Sequence, residues 1–184
     1  MQFHESSIAG VFVVEIDEIH DERGFFARSW CANEFGDRGL ERSFVQENIG
    51  FNVRKGTLRG LHYQIAPHEE VKLVRCVGGS VWDVAVDLKP GSATFGRWVG
   101  VELTDANRTS LYVPAGCAHG YLTLTDNAEI RYLTSTFYAP EAARGARYDD
   151  PSFAIDWPAD VTLMSDNDRN WPLLDSDRAK ARTA

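Results

Sequence analysis

Cysteine, basic charge and long apolar runs are all scarce in this sequence. The 184 residues include three cysteines, Cys31, Cys76 and Cys117, without CxxC spacing, which argues against a disulfide framework and predicts a reducing, cytoplasmic location. No apolar run reaches the length that crosses a bilayer. Residues 1–10 lack the basic flank and apolar stretch of a secretory signal, so we expect neither secretion nor membrane insertion.

The formal net charge of −8 at pH 7 argues against polyanionic partners. Nucleic acids and anionic membranes are polyanions, so nonspecific binding to either is not expected. A few local arginines and lysines can still bind a small phosphate-bearing ligand. The length and an ordinary composition, 43% hydrophobic and 25% charged, predict a single domain over residues 1–184.

Helical patterns are also rare, and they are limited to residues 30–38 and 175–182. Most of the chain consists of short segments rich in β-branched and aromatic residues, separated by turn signals such as Gly78-Gly79. These predicted strands cover residues 11–16, 43–45, 57–65, 71–77, 81–88, 97–103, 110–113, 120–124 and 129–137. Many short strands at this spacing predict a sandwich, a jelly roll or a small barrel.

Residues 56–64 (GTLRGLHYQ) place an arginine and a histidine in an otherwise apolar strand. Regular pleating would put Arg59 and His62 on opposite faces. They can serve one pocket only if Gly60 permits a kink or bulge. The alternative is a core histidine with its own partner and an unrelated surface arginine.

Lys72 raises a similar choice in the next predicted strand. It shares a face with Val74 and Cys76, which indicates either an inward-facing ammonium or an edge-strand lysine that limits aggregation. Asp83 and Asp87, in the strand that follows, are candidate partners for Lys72, Arg59 or Arg75.

Two tyrosines share one face of the strand predicted over residues 129–137 and its extension. If that strand is regular, Tyr132 and Tyr138 lie on the same side as Thr134 and Thr136. Their hydroxyls, among small and polar neighbours, indicate a lined cavity. The alternative is a pair of core tyrosines with buried partners.

Residues 114–120 (PAGCAHG) contain Pro-x-Gly-x-x-His, the second half of the cupin signature. Metal-binding cupins pair it with an upstream His-x-His and a glutamate, whereas here the upstream segment begins at His62 and has Gln64 as its third residue. Glu69 and Glu70 are the available carboxylates. Transition metals prefer a fuller set of imidazoles and carboxylates, so we predict a cupin barrel with no metal.

Several motifs occur in order along almost the whole chain: residues 21–26 (DERGFF), 44–48 (FVQEN), 56–64, 72–75 (KLVR), 83–87 (DVAVD), 91–96 (GSATFG) and 114–120, continued by residues 129–140, 149–151, 155–158 and 165–168. Together they resemble the dTDP-4-dehydrorhamnose 3,5-epimerase family. The resemblance implies an all-β, cupin-type jelly roll, or double-stranded β-helix barrel, with short peripheral helices. It implies an isomerase that uses no cofactor and inverts C3, C5 or both in a dTDP-linked 4-keto-6-deoxyhexose.

The same resemblance assigns catalytic roles. The 4-keto group acidifies the protons on C3 and C5, so the reaction needs a base, a cation at the enolate oxygen and an acid on the opposite face. His62 resembles the base, Asp168 the carboxylate that orients it, Lys72 the cation and Tyr132 the acid.

Substrate-binding positions are implied in the same way: Arg23, Phe26, Gln46, Asn48, Arg59, His119 and Tyr138. Tyr138 matches the residue that stacks on the nucleotide base. Arg23 matches a position contributed by the neighbouring subunit, which implies a homodimer with shared active sites.

Three positions depart from the family pattern: Arg28, Ala143 and Asn167 stand where a glutamate, a glutamate and a lysine are usual. All three concern ligand binding, so the identity of the nucleotide and the sugar is less fixed than the reaction. The alternatives are a single-centre epimerase, an epimerase of a CDP- or GDP-linked 4-keto sugar, a metal-dependent cupin oxygenase and a non-catalytic binder of nucleotide sugars.

Overall fold

The structure is a computed structural model that describes residues 1–174, so the helix predicted over residues 175–182 lies outside the described residues. The described part forms thirteen strands and two short helices. The strands are β1 Gln2–Glu5, β2 Phe12–Glu15, β3 Ile19–Asp21, β4 Gly24–Phe26, β5 Gln46–Asn52, β6 Leu58–Gln64, β7 Lys72–Gly78, β8 Ser80–Asp87, β9 Trp98–Thr104, β10 Ser110–Val113, β11 Cys117–Thr123, β12 Ala128–Thr134 and β13 Ala143–Gly145; the helices are α1 Ala32–Gly36 and α2 Asp166–Arg169.

Two antiparallel sheets carry the fold. One has six strands in the order β1-β2-β10-β7-β12-β5, and the other has five in the order β13-β6-β11-β8-β9. From β5 to β8, and again from β10 to β13, consecutive strands alternate between the two sheets. This repeated crossing is the topology of a jelly roll and confirms the all-β prediction. A separate hairpin, β3–β4, stands apart from both sheets.

The hydrophobic core lies between the two sheets. The six-stranded sheet contributes Val74, Cys76, Leu111 and Ile130, and the five-stranded sheet contributes Val81, Ala85, Leu103 and Tyr121. Two smaller clusters cover the outer faces. Phe35 of α1 packs on the six-stranded sheet, and Phe153 and Trp157 pack on the five-stranded sheet. No helix among residues 1–174 is long and apolar enough to cross a membrane.

Predicted and observed strands differ most around β5. Residues 43–45 are not a strand, and β5 begins where that prediction ended, at Gln46. In β5, QENIGFN, the less exposed face carries the polar residues Gln46, Asn48 and Asn52, and the exposed face carries Ile49 and Phe51, so the strand lacks the usual alternation of apolar inside and polar outside. The short strand β1 and the hairpin β3–β4 were missed as well. β12 ends at Thr134, three residues earlier than predicted, and the chain then leaves the sheet.

Candidate active site

A cavity of about 880 Å³ opens between the two sheets and is closed on one side by the segment that carries α2. Eight of the predicted site residues line it together: Gln46, Asn48, Arg59, His62, Lys72, Tyr132, Tyr138 and Asp168. Of the three departures from the family pattern, Ala143 and Asn167 also line the cavity. Arg28 does not; its guanidinium lies 3.0 Å from Glu34 at the surface.

A bulge in β6 brings Arg59 and His62 to the same cavity. His62 lies opposite His119 and Arg59 lies opposite Tyr121, so β6 has one more residue than β11 between these two pairs. Gly60 occupies the bulge with φ of +134°, and a Cβ there would lie 2.5 Å from the Cα of Gly120. Only glycine fits this close approach. The irregularity that the sequence required at Gly60 is therefore present.

His62 and Asp168 form the shortest polar contact in the cavity. The Nε2 atom of His62 lies 2.6 Å from Oδ1 of Asp168. The imidazole is 46% exposed, whereas the carboxylate is buried. A carboxylate accepts the N–H at Nε2, so the lone pair of the imidazole is left on Nδ1. This is the tautomer that a histidine base needs if it acts through Nδ1.

The first turn of α2 holds Asp168 in place. Ser165 is the N-cap, and its hydroxyl accepts the backbone N–H of Asp168 at 3.1 Å. Burial alone would raise the pKa of Asp168, but its hydrogen bond and charge interaction with His62, with hydrogen bonds from Ser165 and Gly60, hold that pKa below its ordinary value. The carboxylate is therefore ionised at neutral pH.

Strand register on the six-stranded sheet places the remaining catalytic candidates. Tyr132 lies opposite Asn48 of β5, and Thr134 lies opposite both Gln46 and Lys72. The Tyr132 and Lys72 side chains consequently share the inner face of adjacent strands. Burial raises the pKa of the Tyr132 phenol, and a nearby carboxylate raises it further. The phenol is protonated at neutral pH and can act as an acid.

Lys72 faces inward, which is one of the two orientations that the sequence allowed. Its side chain is 8% exposed, and its Nζ lies 3.0 Å from Oε1 of Glu70. The same ammonium donates to the backbone carbonyl of His62 at 3.2 Å. Lys72 thus links the six-stranded sheet to β6 of the other sheet, next to the candidate base.

The partners predicted for the cations were wrong. Asp83 does not contact Lys72 but lies 2.8 Å from Nε2 of His119, because it projects from the five-stranded sheet beside β11. Asp87 instead accepts hydrogen bonds from two hydroxyls of the following loop. Arg59 donates from Nε to the amide oxygen of Asn52 at 2.8 Å. Sequence pattern cannot show which sheet a carboxylate will face.

His119 lies beneath the cavity rather than on its wall. It is 6% exposed and opposite His62 in register. The described residues contain no group of three or more His, Cys, Asp or Glu side chains that could hold a metal ion. Gln64 donates to the carbonyl of His68 and accepts the N–H of Ala139, so its amide supports the cavity wall.

Arg23 and Phe26 do not line the cavity of their own chain. Both lie on the β3–β4 hairpin, where the Arg23 side chain is 85% exposed and pairs with Asp21. Phe26 is 73% exposed. The structure thus separates these two residues from the other site candidates.

Sequence reasoning missed Asn52 and Trp171, which contact residues of the site. Asn52 orients Arg59, and Trp171 donates from its ring nitrogen to Asp168 at 3.4 Å. A Trp-Pro step marks Trp171 in the sequence. Nothing in the sequence distinguishes Asn52 from other polar residues of an edge strand.

A family model described as dTDP-4-dehydrorhamnose 3,5-epimerase matches residues 5–176. The chain belongs to the dTDP-4-dehydrorhamnose 3,5-epimerase family. This is a family of isomerases, so an epimerase is favoured over an oxygenase or a non-catalytic binder of nucleotide sugars.

Three relatives are informative. The dTDP-4-dehydrorhamnose 3,5-epimerase of Pseudomonas aeruginosa is 46% identical over 165 residues, which cover 89% of this chain and 90% of the relative. A crystal structure of dTDP-6-deoxy-D-glucose-3,5-epimerase from Legionella pneumophila, in complex with dTDP-4-keto-L-rhamnose, has a TM-score of 0.88 and 38% identity, and covers 96% of this chain and 95% of its own. The dTDP-4-dehydrorhamnose 3-epimerase of Streptomyces niveus is 36% identical and covers 100% of this chain and 87% of its own.

Proposed function

We propose that this epimerase inverts both C3 and C5 of dTDP-4-dehydro-6-deoxy-D-glucose and so produces dTDP-4-dehydro-L-rhamnose. One observation carries the proposal: His62 and Tyr132 belong to opposite sheets and line one cavity, with Asp168 of α2 bonded to His62 and the Lys72 ammonium at the cavity wall. Epimerisation through an enolate requires this set of groups, a base and an acid on opposite faces and a cation at the ketone oxygen.

The reaction proceeds in two proton transfers at each carbon. His62 takes the proton from the carbon beside the ketone, and the electron pair of that C–H bond moves onto the ketone oxygen to give an enolate. Lys72 stabilises the negative oxygen. Tyr132 then donates its proton to the other face of the same carbon, which restores the ketone with inverted configuration. Solvent returns Tyr132 to the phenol and removes the proton from His62.

The remaining cavity residues bind the nucleotide. Arg59 supplies a guanidinium for the diphosphate, while Gln46 and Asn48 contact the sugar and phosphates; His119 lies beneath the cavity wall and supports it. Tyr138 is 65% exposed, and the side-chain oxygen of Gln46 accepts its backbone N–H at 2.7 Å. An exposed ring on a fixed backbone suits stacking on a nucleotide base. The substrate is therefore a small nucleotide sugar, and no metal or cofactor takes part.

The active unit in this proposal is a homodimer with shared sites. Arg23 and Phe26 are displayed on a hairpin that makes no part of its own cavity, and the edge strand β5 exposes Ile49 by 61% and Phe51 by 51%. Exposed apolar side chains on an unpaired edge favour association with another chain. In the dimer, Arg23 reaches the cavity of the partner subunit. The cytoplasm is the proposed location, in keeping with three free cysteines.

Incubation with dTDP-4-dehydro-6-deoxy-D-glucose in heavy water tests the function. Deuterium should enter at both C3 and C5, and the product should be the L-rhamno isomer by NMR. The Streptomyces niveus relative makes inversion at C3 alone the second candidate. Deuterium and inversion confined to C3 would establish that candidate, and the absence of exchange at both carbons would contradict epimerisation. The CDP- and GDP-linked analogues, assayed in parallel, test the nucleotide.

A further inference from the structure

Glu70 is an ionisable side chain in the cavity that the proposed mechanism does not use. It lies two residues before Lys72, and its side chain is 12% exposed. It lines the same cavity as His62 and Tyr132. A carboxylate in this place repels both the diphosphate and a developing enolate, so its presence calls for a physical reason.

The contacts of Glu70 supply that reason. One carboxylate oxygen lies 3.0 Å from the Lys72 ammonium, and the other lies 3.5 Å from the Gln64 amide nitrogen. Gln64 is itself fixed by its bonds to the backbone at His68 and Ala139. A nearly buried ammonium is costly without a partner of opposite charge. Glu70 therefore holds the Lys72 ammonium from a rigid wall, while the carbonyl of His62 accepts a second hydrogen bond from that ammonium.

The Glu70 charge also acts on Tyr132. Burial is the largest cause of the raised pKa of the Tyr132 phenol, and the Glu70 carboxylate is the second, while Arg59 opposes both. The other ionisable side chains that line the cavity are His62, Tyr63, Lys72, Tyr138, Arg144 and Asp168, and the buried Tyr121 also interacts with Tyr132. Removal of the Glu70 charge thus lowers the pKa of the phenol.

We propose that Glu70 is a positioning residue for the epimerisation, whose carboxylate fixes the Lys72 ammonium where the substrate ketone binds. This inference rests on the proposed function, in which Lys72 stabilises the enolate. A second consequence follows from the same charge. Without it the Tyr132 phenol ionises at lower pH, and a phenolate cannot donate a proton.

The test compares Glu70→Gln with Glu69→Gln across the pH range. Glu69 is an exposed carboxylate next in sequence, so it is a matched control for loss of charge alone. We expect Glu70→Gln to lower kcat about tenfold or more, because a loosened ammonium stabilises the enolate less well, with KM changed less than twofold. The basic limb of its kcat profile should move to lower pH. Glu69→Gln should follow the wild type in both respects.

Glu70→Asp provides the conservative variant. It keeps the negative charge on a shorter side chain, so its basic limb should stay at the wild-type position although kcat falls. A Glu70→Gln profile that superimposes on that of Glu69→Gln, in protein that melts like the wild type, would overturn the inference and leave the function standing. The inference would also be overturned if the basic limb of the kcat profile moved to lower pH by as much in Glu70→Asp as in Glu70→Gln. Wild-type enzyme that incorporates no deuterium would overturn the proposed function, and the role of Glu70 with it.

Discussion

Replacement of Asp168 by asparagine is the sharpest test of the proposed base. The change keeps the shape of the side chain but replaces an ionised acceptor 2.6 Å from Nε2 of His62 by a neutral amide. An amide N–H pointing at Nε2 favours the opposite tautomer, with the proton on Nδ1. His62 then presents a proton where the substrate needs a lone pair.

The expected loss follows from that geometry. A positioned general base contributes about 10² to 10⁴ in rate, and an asparagine behind a catalytic histidine of a serine protease lowers kcat by about 10⁴ through the wrong tautomer. For Asp168→Asn we expect kcat to fall by about 10² to 10⁴, or roughly 3–5 kcal/mol of activation free energy. KM should change little, because the imidazole remains in place.

The assay is the initial rate of deuterium entry at C3 and C5, which reports deprotonation directly. Asp166→Asn is the matched control: it alters an exposed aspartate in the same short helix, and it should exchange like the wild type. If Asp168→Asn exchanged deuterium within a few-fold of that control, Asp168 would not set the state of His62.

Four further outcomes are expected. Tyr132→Phe should still take up deuterium, since His62 can return a solvent proton to the same face, but inverted product should fall by about 10²-fold or more; Tyr138→Phe should keep its yield because stacking needs the ring, and the reverse pattern would show that Tyr138 is the acid. Exhaustive chelation should leave turnover unchanged, and loss of activity with removal of a stoichiometric metal would contradict this. Light scattering should give a dimer, whereas a fully active monomer would refute the shared site. The pKa of Asp168 is lowered from 3.8 on folding, so its contribution to stability is present above that pH and is lost below it; the urea midpoint of Asp168→Asn should therefore fall less than that of the wild type on acidification below about pH 4.

The strands that sequence predicted well are those with both a buried face and β-branched residues, such as β7 and β8. β5 was missed because its inward face carries polar residues, Gln46 and Asn48, which line the cavity, and because its pairing with β12 is a tertiary effect. The helix predicted over residues 30–38 shortened to α1, Ala32–Gly36. Patterns of burial therefore located the central strands more reliably than the edges.

In the candidate site too, sequence predicted the local features better than those that depend on the tertiary fold. Sequence allowed an inward face as one of two orientations for Lys72 and made one pocket for Arg59 and His62 conditional on Gly60, because pleating and glycine geometry are local properties. It assigned the wrong partners to the cations, since the choice between Asp83 and Glu70 depends on which sheet each residue joins. That choice is made by the crossing of strands between sheets, which no local pattern encodes.

The placement of Asp168 has a consequence for how the enzyme loses activity. The base lies in an interior strand of its sheet, but its carboxylate partner is 106 residues away on a segment outside both sheets, which is bonded to the start of β6 at Leu58 and to Gly56 before it. We expect a segment outside both sheets to open at a lower free energy than the sheets themselves. Mild heat or denaturant should therefore separate Asp168 from His62 while both sheets stay folded. Inactivation would then precede global unfolding, and it would reverse as soon as the segment docks again.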